Sequence, residues 1–261
     1  MDQNKIKLNI KDFNLFYEII KTISKMSEGV KFQLNECGLE IYAKNDHSKC
    51  ELTTNSISSD VETSFCIGDL NTLFKILTTV KGLYEDNFSE IEIYFDSPFL
   101  KIESKKFKTK LSTVEESIVA RYMTTKVHTE LTPRAEFTTN SNIIKNINSH
   151  SFIFKDASES RIYLSTNPDM ENNVVFATIG NETNDLANSV TLELGMLNYG
   201  DLGEDKIILD FERLNILNIV YSEDIKVRLA KERPVLMTNI HKTGVNGSFY
   251  NINIYSFLKI K

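Results

Sequence analysis

Tryptophan is absent from this chain of 261 residues, and glycine (10) and proline (4) are sparse. Asparagine, isoleucine and lysine are plentiful, a bias of A+T-rich coding that carries no chemistry. No apolar run reaches the roughly 18 residues a membrane span needs. The three cysteines, Cys37, Cys50 and Cys66, are odd in number and lack metal-ligand spacing. Reduced cysteines in or near cores are the expectation. His47, His128, His150 and His241 lie far apart, with no HExxH or CxxC nearby. No Walker A, GxGxxG or GxSxG pattern occurs. Acidic pairs such as Glu115-Glu116 have no His, Lys or Cys companion arranged for acid–base work. The expectation is therefore a protein without catalytic residues, cofactor or metal. The opening MDQNKIKLNI alternates charged and apolar side chains, unlike a signal peptide. The chain is expected to stay inside the cell that makes it.

What is present is a globular composition: 41% hydrophobic and 25% charged residues. The length suits two domains of ordinary size. Ile6, Leu8 and Ile10 alternate with Lys5, Lys7 and Asn9, as in a half-buried strand. Phe13, Phe16, Tyr17, Ile20 and Ile23 then recur at helical spacing, which predicts an amphipathic helix over 11–26. Strand patterns follow at 29–34, 38–43, 49–54 and 62–68. Asp69 is a good N-cap for a second helix carrying Leu70, Leu73, Phe74 and Leu77. Ile91, Ile93 and Phe95 alternate again, then Pro98-Phe99-Leu100, then 107–111. Residues 113–133 have weak periodicity and read as a connector over the surface. Beyond it the pattern resumes: a strand at 136–139, a short helix with Ile143, Ile144 and Ile147, and strands near 151–155, 160–165, 173–179, 189–194 and 207–209.

The second half repeats the first. Asp69-Leu70-x-x-Leu73-x-x-Ile76 matches Asp210-Phe211-x-x-Leu214-x-x-Leu217. Glu90-Ile91-x-Ile93-x-Phe95 matches Asp224-Ile225-x-Val227-x-Leu229. Pro98-Phe99-Leu100 matches Pro234-Val235-Leu236. The first copy has the longer loop at 81–89. The fold class is thus α+β: two similar domains, 1–112 and 134–261, joined by the connector 113–133. Each holds two helices packed on antiparallel sheets.

Net charge is −6, not the basic profile usual for nucleic-acid binding. Placed on elements it separates. The four expected helices, 11–26, 70–81, 141–150 and 211–221, carry +1, +2, +1 and zero, which is +4 together against −10 for the rest. Lysine is a good, well-solvated helix former, which explains such a bias without function. The alternative is that the helices share a surface presented to a polyanion, with phosphate contacts and no sequence readout. Asn14, Asn71, Asn142 and Asn215 on the same faces can donate to phosphate oxygens. A second cluster, Lys101, Lys105, Lys106, Lys108 and Lys110, lies around a strand. It reads either as edge protection or as an edge made for an acidic partner.

Several segments carry a resemblance. Gly38-Leu39-Glu40-Ile41-Tyr42-Ala43-Lys44-Asn45-Asp46-His47-Ser48 forms a glycine-led alternating strand and acidic turn. Ile67-Gly68-Asp69-Leu70-Asn71-Thr72-Leu73-Phe74-Lys75-Ile76-Leu77 runs from strand into a lysine-bearing helix. Pro234-Val235-Leu236 and Tyr255-Ser256-Phe257-Leu258-Lys259 complete the set. Together with the duplication, they make the chain resemble the DNA sliding clamps of the PCNA type over essentially its whole length. The resemblance implies a DNA polymerase processivity factor, a head-to-tail homotrimeric ring around double-stranded DNA. It implies a clamp loader and a polymerase as partners, at replication sites of a cell, virus or phage. Lys11, Lys21, Lys25, Lys75, Lys81, Lys145 and Arg213 would face DNA. Ile118, Tyr122, Met123, Leu131, Pro234, Tyr255 and Phe257 would line a pocket for partner peptides. Lys44 departs from the apolar residue expected there. Subunits would join through the edge at 106–112, with Lys106, Lys108 and Lys110, and an edge over 173–179, with Val174, Phe176 and Thr178. Glu171 and Glu182 would stand nearby. Two alternatives stay open: a monomeric or dimeric clamp-fold processivity or late-transcription factor, and a β-rich structural virion or scaffold protein.

Overall fold

The computed structural model describes residues 5–46, 48–84, 88–124, 132–151, 162–166, 173–180, 189–202, 207–209, 224–231, 235–257 and 259–260. The chain packs as two units. Unit 1 holds Met1–Lys126 with His241–Ile252, and unit 2 holds Val127–Ile240 with Asn253–Lys261.

Unit 1 runs β1 (Lys5–Ile10), α1 (Phe13–Met26), β2 (Val30–Asn35), β3 (Gly38–Lys44), β4 (Ser48–Thr54), β5 (Ile57–Ser58), β6 (Thr63–Ile67), α2 (Leu70–Tyr84), β7 (Glu92–Asp96), β8 (Phe99–Glu103), β9 (Lys108–Ser112) and the short α3 (Glu116–Val119). Its strands form a sheet in the order β5-β1-β7-β8-β9 and a run β6-β2-β3-β4. The periodicities explain the elements. Phe13, Leu15, Phe16, Ile19, Ile20, Ile23 and Met26 bury one stripe of α1. Leu70, Leu73, Leu77 and Val80 do the same for α2. Fully burying such a side chain stabilises by about 1.5–3 kcal/mol. Leu8, Ile93, Leu100 and Ile102 supply the buried face of the first sheet. The hairpin between β2 and β3 needs Gly38, whose φ is +143° and whose added Cβ would stand 1.9 Å from the Thr54 carbonyl oxygen.

Unit 2 runs β10 (Pro133–Thr139), α4 (Ser141–Ser151), β11 (Ile162–Thr166), β12 (Val174–Gly180), β13 (Ser189–Gly200), β14 (Ile207–Leu209), β15 (Ile225–Ala230), β16 (Val235–Thr243), β17 (Phe249–Phe257) and β18 (Lys259–Ile260). Its strand order is β18-β14-β11-β12-β13-β10-β15-β16. The repeat is visible in the pairing. β1 lies antiparallel beside β7 as β10 lies beside β15. β5 borders β1 on its other side, as Met196–Gly200 of β13 borders β10. The strand expected near 151–155 and the helix over 211–221 lie outside the described residues.

Two expectations change. Although the whole of 134–261 was expected as one domain, the hairpin tip His241–Ile252 belongs to unit 1. Asp12, the N-cap of α1, explains the attachment. One carboxylate oxygen accepts from the Leu15 amide (2.9 Å). The other accepts from the Val245 amide (3.0 Å) and the Ser248 hydroxyl (2.7 Å). The Asn55 amide also donates to the Phe249 carbonyl, and the Asn55 side chain accepts from the Phe249 amide (2.7 Å). Part of the expected connector is likewise anchored: Val114 bridges to Cys66 and Met123 to Ala43.

Candidate nucleic-acid interface

The solvent face of α1 and α2 is the most basic surface that the helices of unit 1 present. α1 carries Lys21 and Lys25 there, both exposed, and α2 carries exposed Lys75 and half-buried Lys81. α2 holds no carboxylate at all. The one on α1, Glu18, is neutralised by Lys242 of the hairpin tip at 2.5 Å. The flanking acids are engaged at helix starts. Asp12 is bonded as above, and Asp69 accepts from the Thr72 amide (2.9 Å) and hydroxyl (2.7 Å). Those bonds from Thr72 hold the Asp69 carboxyl below its ordinary pKa. The helices are locked together by Tyr17 and Phe74, whose ring centroids are 5.4 Å apart. The Lys81 ammonium sits 4.7 Å above the Tyr17 ring, which fixes a flexible side chain at the surface.

Lys11 lies at the entry to α1 and donates to the Gly247 carbonyl at 3.2 Å. Lys145 is exposed on α4 of unit 2. Arg213 lies outside the described residues. Lys242 was missed from sequence, because its pairing with Glu18 spans 224 positions and no local pattern announces it.

Among the expected pocket residues that are described, Tyr122 lines a notch. A notch of about 600 Å³ is lined by Met26, Glu28, Lys44, Asp46, Arg121 and Tyr122 among others. It is polar. The Tyr122 hydroxyl donates to Glu28, and Arg121 stands 3.5 Å from the same carboxylate. Ile118 is 58% exposed and does not line it. Met123 is half-buried, tied to β3 by its bridge to Ala43. Tyr255 is half-buried on β17 of unit 2. Leu131, Pro234 and the side chain of Phe257 lie outside the described residues. Lys25, Glu28, Lys44, Asp46 and Arg121 bring charge to the notch, beside the apolar Met26.

The subunit edges differ from each other. β9 is an edge strand, bonded to β8 alone among the described strands. Lys108 and Lys110 are exposed along it. Lys106 stands in the preceding turn, where its amide donates to the Tyr84 hydroxyl at 3.2 Å. The edge expected over 173–179 is not an edge. β12, with Val174, Phe176 and Thr178, pairs with β11 on one side and with β13 on the other. The sequence reading ended the next strand at 194, whereas β13 runs on to Gly200. It first follows β12, then crosses to β10. Gly195 permits the crossing, since a Cβ there would stand 2.0 Å from the Thr138 carbonyl oxygen. Glu171 and Glu182 lie outside the described residues.

Nucleophile chemistry has little support. Burial, with a smaller push from the Glu51 charge, raises the Cys50 thiol to about 12. Burial, then Glu116, raises Cys66 as well, against a smaller opposing pull from Lys31. Neither thiol is a ready thiolate. Among the described residues no cluster of His, Cys, Asp or Glu could hold a metal ion, and no described helix is long and apolar enough to cross a membrane.

Paired antiparallel sheets, a repeated strand–helix unit and a basic helix face are the features of the DNA-clamp fold. The structure matches that fold over its full length. Proliferating cellular nuclear antigen from Entamoeba histolytica superposes with a TM-score of 0.64 at 14% identity, covering 99% of this chain and 100% of that one. The A. fulgidus PCNA, solved with the C-terminal region of FEN-1 bound, gives 0.70 at 11% identity, with coverages of 98% and 99%. PCNA from Thermococcus kodakaraensis gives 0.66 at 14%, covering 98% and 100%. No protein-family model matches the chain, and no curated protein matches its sequence. The chain therefore has the fold of PCNA-type sliding clamps, at an identity too low for sequence comparison to register.

Proposed function

We propose that this protein is a sliding clamp: a head-to-tail homotrimer that closes around double-stranded DNA and tethers a DNA polymerase as a processivity factor, placed on DNA by a clamp loader. It acts inside the cell at sites of replication and performs no catalysis of its own. The observation that carries the reading is the basic face of α1 and α2 on a chain of net charge −6. Lys21, Lys25, Lys75 and Lys81 lie where phosphates would be met, and the single carboxylate among them is already paired. A ring need not grip tightly to remain on DNA, so a few lysines suffice and sliding stays fast. Lys11 and Lys145 would extend the contact. The notch beside Tyr122 would take a segment of a partner protein.

The test is a duplex-DNA titration across salt, paired with a mass measurement in solution. The reading predicts weak, sequence-independent binding by a trimer, with affinity falling as salt rises. A stable monomer with no affinity for duplex DNA would contradict it. A monomer that still binds would favour the clamp-fold factor that acts without a ring.

A further inference from the structure

The solvent face of α1 and α2 carries more than charge. Tyr17 on α1 and Phe74 on α2 are both half-buried, and neither belongs to the stripe that its helix buries. Their rings are tilted by 37°, with centroids 5.4 Å apart. Cations surround the pair. Lys21 follows Tyr17 by four positions, which makes the two surface neighbours on a helix. Lys75 follows Phe74 directly. The Lys81 ammonium stands 4.7 Å from the Tyr17 centroid. In unit 2, α4 occupies the place of α1 in the repeat and carries Lys145, but neither Phe nor Tyr.

A surface that meets only the backbone of a duplex needs lysines and no rings, because the face of each paired base is covered by its neighbours in the stack. An unpaired base has a free face. Proteins that hold single strands combine cations along the backbone with aromatic rings under the bases, and such stacking tolerates any sequence. The two helices fill their core with Phe16, Ile20, Leu73 and Leu77, so the two rings are left for the surface. The Tyr17 and Thr78 hydroxyls meet at 3.4 Å, beyond the usual range for such a pair. Thr78 gives its one proton to the Phe74 carbonyl at 2.8 Å. The Tyr17 hydroxyl thus keeps a donor for a ligand.

We infer that the α1–α2 face binds single-stranded DNA, with an unpaired base stacked on the Tyr17–Phe74 pair and the adjoining phosphates on Lys21, Lys75 and Lys81. This rests on the reading of that face as a DNA contact and adds a second form of DNA to it. The entering base displaces the Lys81 ammonium from above Tyr17. A cation over a part-exposed ring is held weakly, and its charge passes to a phosphate of the bound strand. The base that stacks comes from a place where the duplex is open: a gap, a frayed end or a fork.

The experiment titrates the full chain against a blunt duplex and against an oligo(dT) of about 16 nucleotides, the upper site size of a single-strand-binding fold. Fluorescence anisotropy reads both. The unaltered chain should bind oligo(dT), with affinity falling as salt rises. Tyr17→Leu combined with Phe74→Leu should weaken that binding by about tenfold and leave duplex affinity unchanged. Tyr17→Phe, which keeps the ring, should retain single-strand binding. Circular dichroism verifies that each variant is folded. A second measurement needs no variant: an oligonucleotide carrying iodouracil is irradiated on the unaltered chain, and the cross-linked peptide should contain Tyr17 or Phe74. Duplex binding without oligo(dT) binding, equal losses on both DNAs in the double variant, or cross-links confined to other peptides would overturn this inference and leave the clamp reading standing. A folded chain that binds neither DNA overturns both.

Discussion

The two repeats treat the same edge of their sheets differently. In unit 1 the outer side of β4 is bordered where β17 begins, with Phe249 bonded to Asn55 and to the Thr54 hydroxyl. In unit 2 the corresponding strand is the first half of β13, Ser189–Leu194, which pairs with β12 as β4 pairs with β3. β13 runs on without a break into Met196–Gly200, which borders β10 as the separate two-residue β5 borders β1. One edge is thus bordered by a distant part of the chain, whereas Ser189–Leu194 pairs with β12 alone among the described strands. A duplicated unit can keep its core pattern while its edges diverge, because edges answer to neighbours and cores answer to burial. The helix starts show the same split. Asp12 bonds three donors, two of them on the hairpin tip. Asn140, at the start of α4, bonds the amides of Asn142 and Ile143 within its own helix.

The largest expected effect breaks that last parallel. Asp12→Ala removes a cap and two charge-assisted bonds, and should destabilise unit 1 by about 3–4 kcal/mol. Asn140→Ala removes a local cap and should cost about 1 kcal/mol. Denaturant unfolding monitored by hydrogen exchange in each unit measures both. Equal losses would mean that the hairpin attachment contributes nothing.

The next effect contrasts the ion pairs on corresponding strands. In unit 2, Glu136 accepts from the Arg228 guanidinium at 2.6 Å and from Asn198 at 3.0 Å. Burial pulls the Glu136 carboxyl up, but the bonds from Arg228 and Asn198 and the charges of Arg228 and Lys226 outweigh it, and its pKa is lowered. A carboxylate depressed in the folded state stabilises above its unfolded pKa, and that contribution is lost as pH falls through the folded value. Stability should therefore drop on acidification below about pH 4.3, and Arg228→Ala should flatten the drop while costing about 2 kcal/mol at neutral pH. The figure is set below the usual cost of breaking a buried pair because Arg228 is part-exposed. An acid limb unchanged in Arg228→Ala would remove Glu136 from the account.

The basic face comes third. Lys21→Ala with Lys75→Ala should weaken duplex binding by about tenfold and lower the salt slope by about 2, near 0.9 per lost phosphate contact. Thermal stability should be unchanged, since both residues are exposed. A wild-type slope in the double variant would take these helices away from DNA. The smallest effect is that of Lys7→Ala in unit 1. Its pair with Glu92 is 64% and 55% exposed, and its loss should leave the unfolding midpoint unchanged within error, because solvent screens the pair.

Much of this was readable from residues. The stripe from Phe13 to Ile23, the Asp69 cap and the alternation at 91–95 depend on local periodicity, and the helices and strands stand where those patterns put them. The repeat also emerges, with β10 beside β15 as β1 is beside β7. What escaped depends on contacts far apart in sequence. Nothing near Lys242 points to Glu18, and nothing near Gly244 to Ser248 points to Asp12. The β13 extension hid for another reason. Ser189 to Leu194 alternates like any strand, and alternation names the faces of a strand without naming its neighbours. Around the expected pocket, the Tyr122 hydroxyl bond to Glu28 and the Met123 bridge to Ala43 are likewise contacts that no local pattern announces.

The central claim is a ring built from these repeats, and electron microscopy of the purified protein tests it most directly. The account predicts closed particles of six lobes, two for each of three chains, with a central opening wide enough for duplex DNA. A field of single two-lobed particles at concentrations where the protein binds DNA would contradict it.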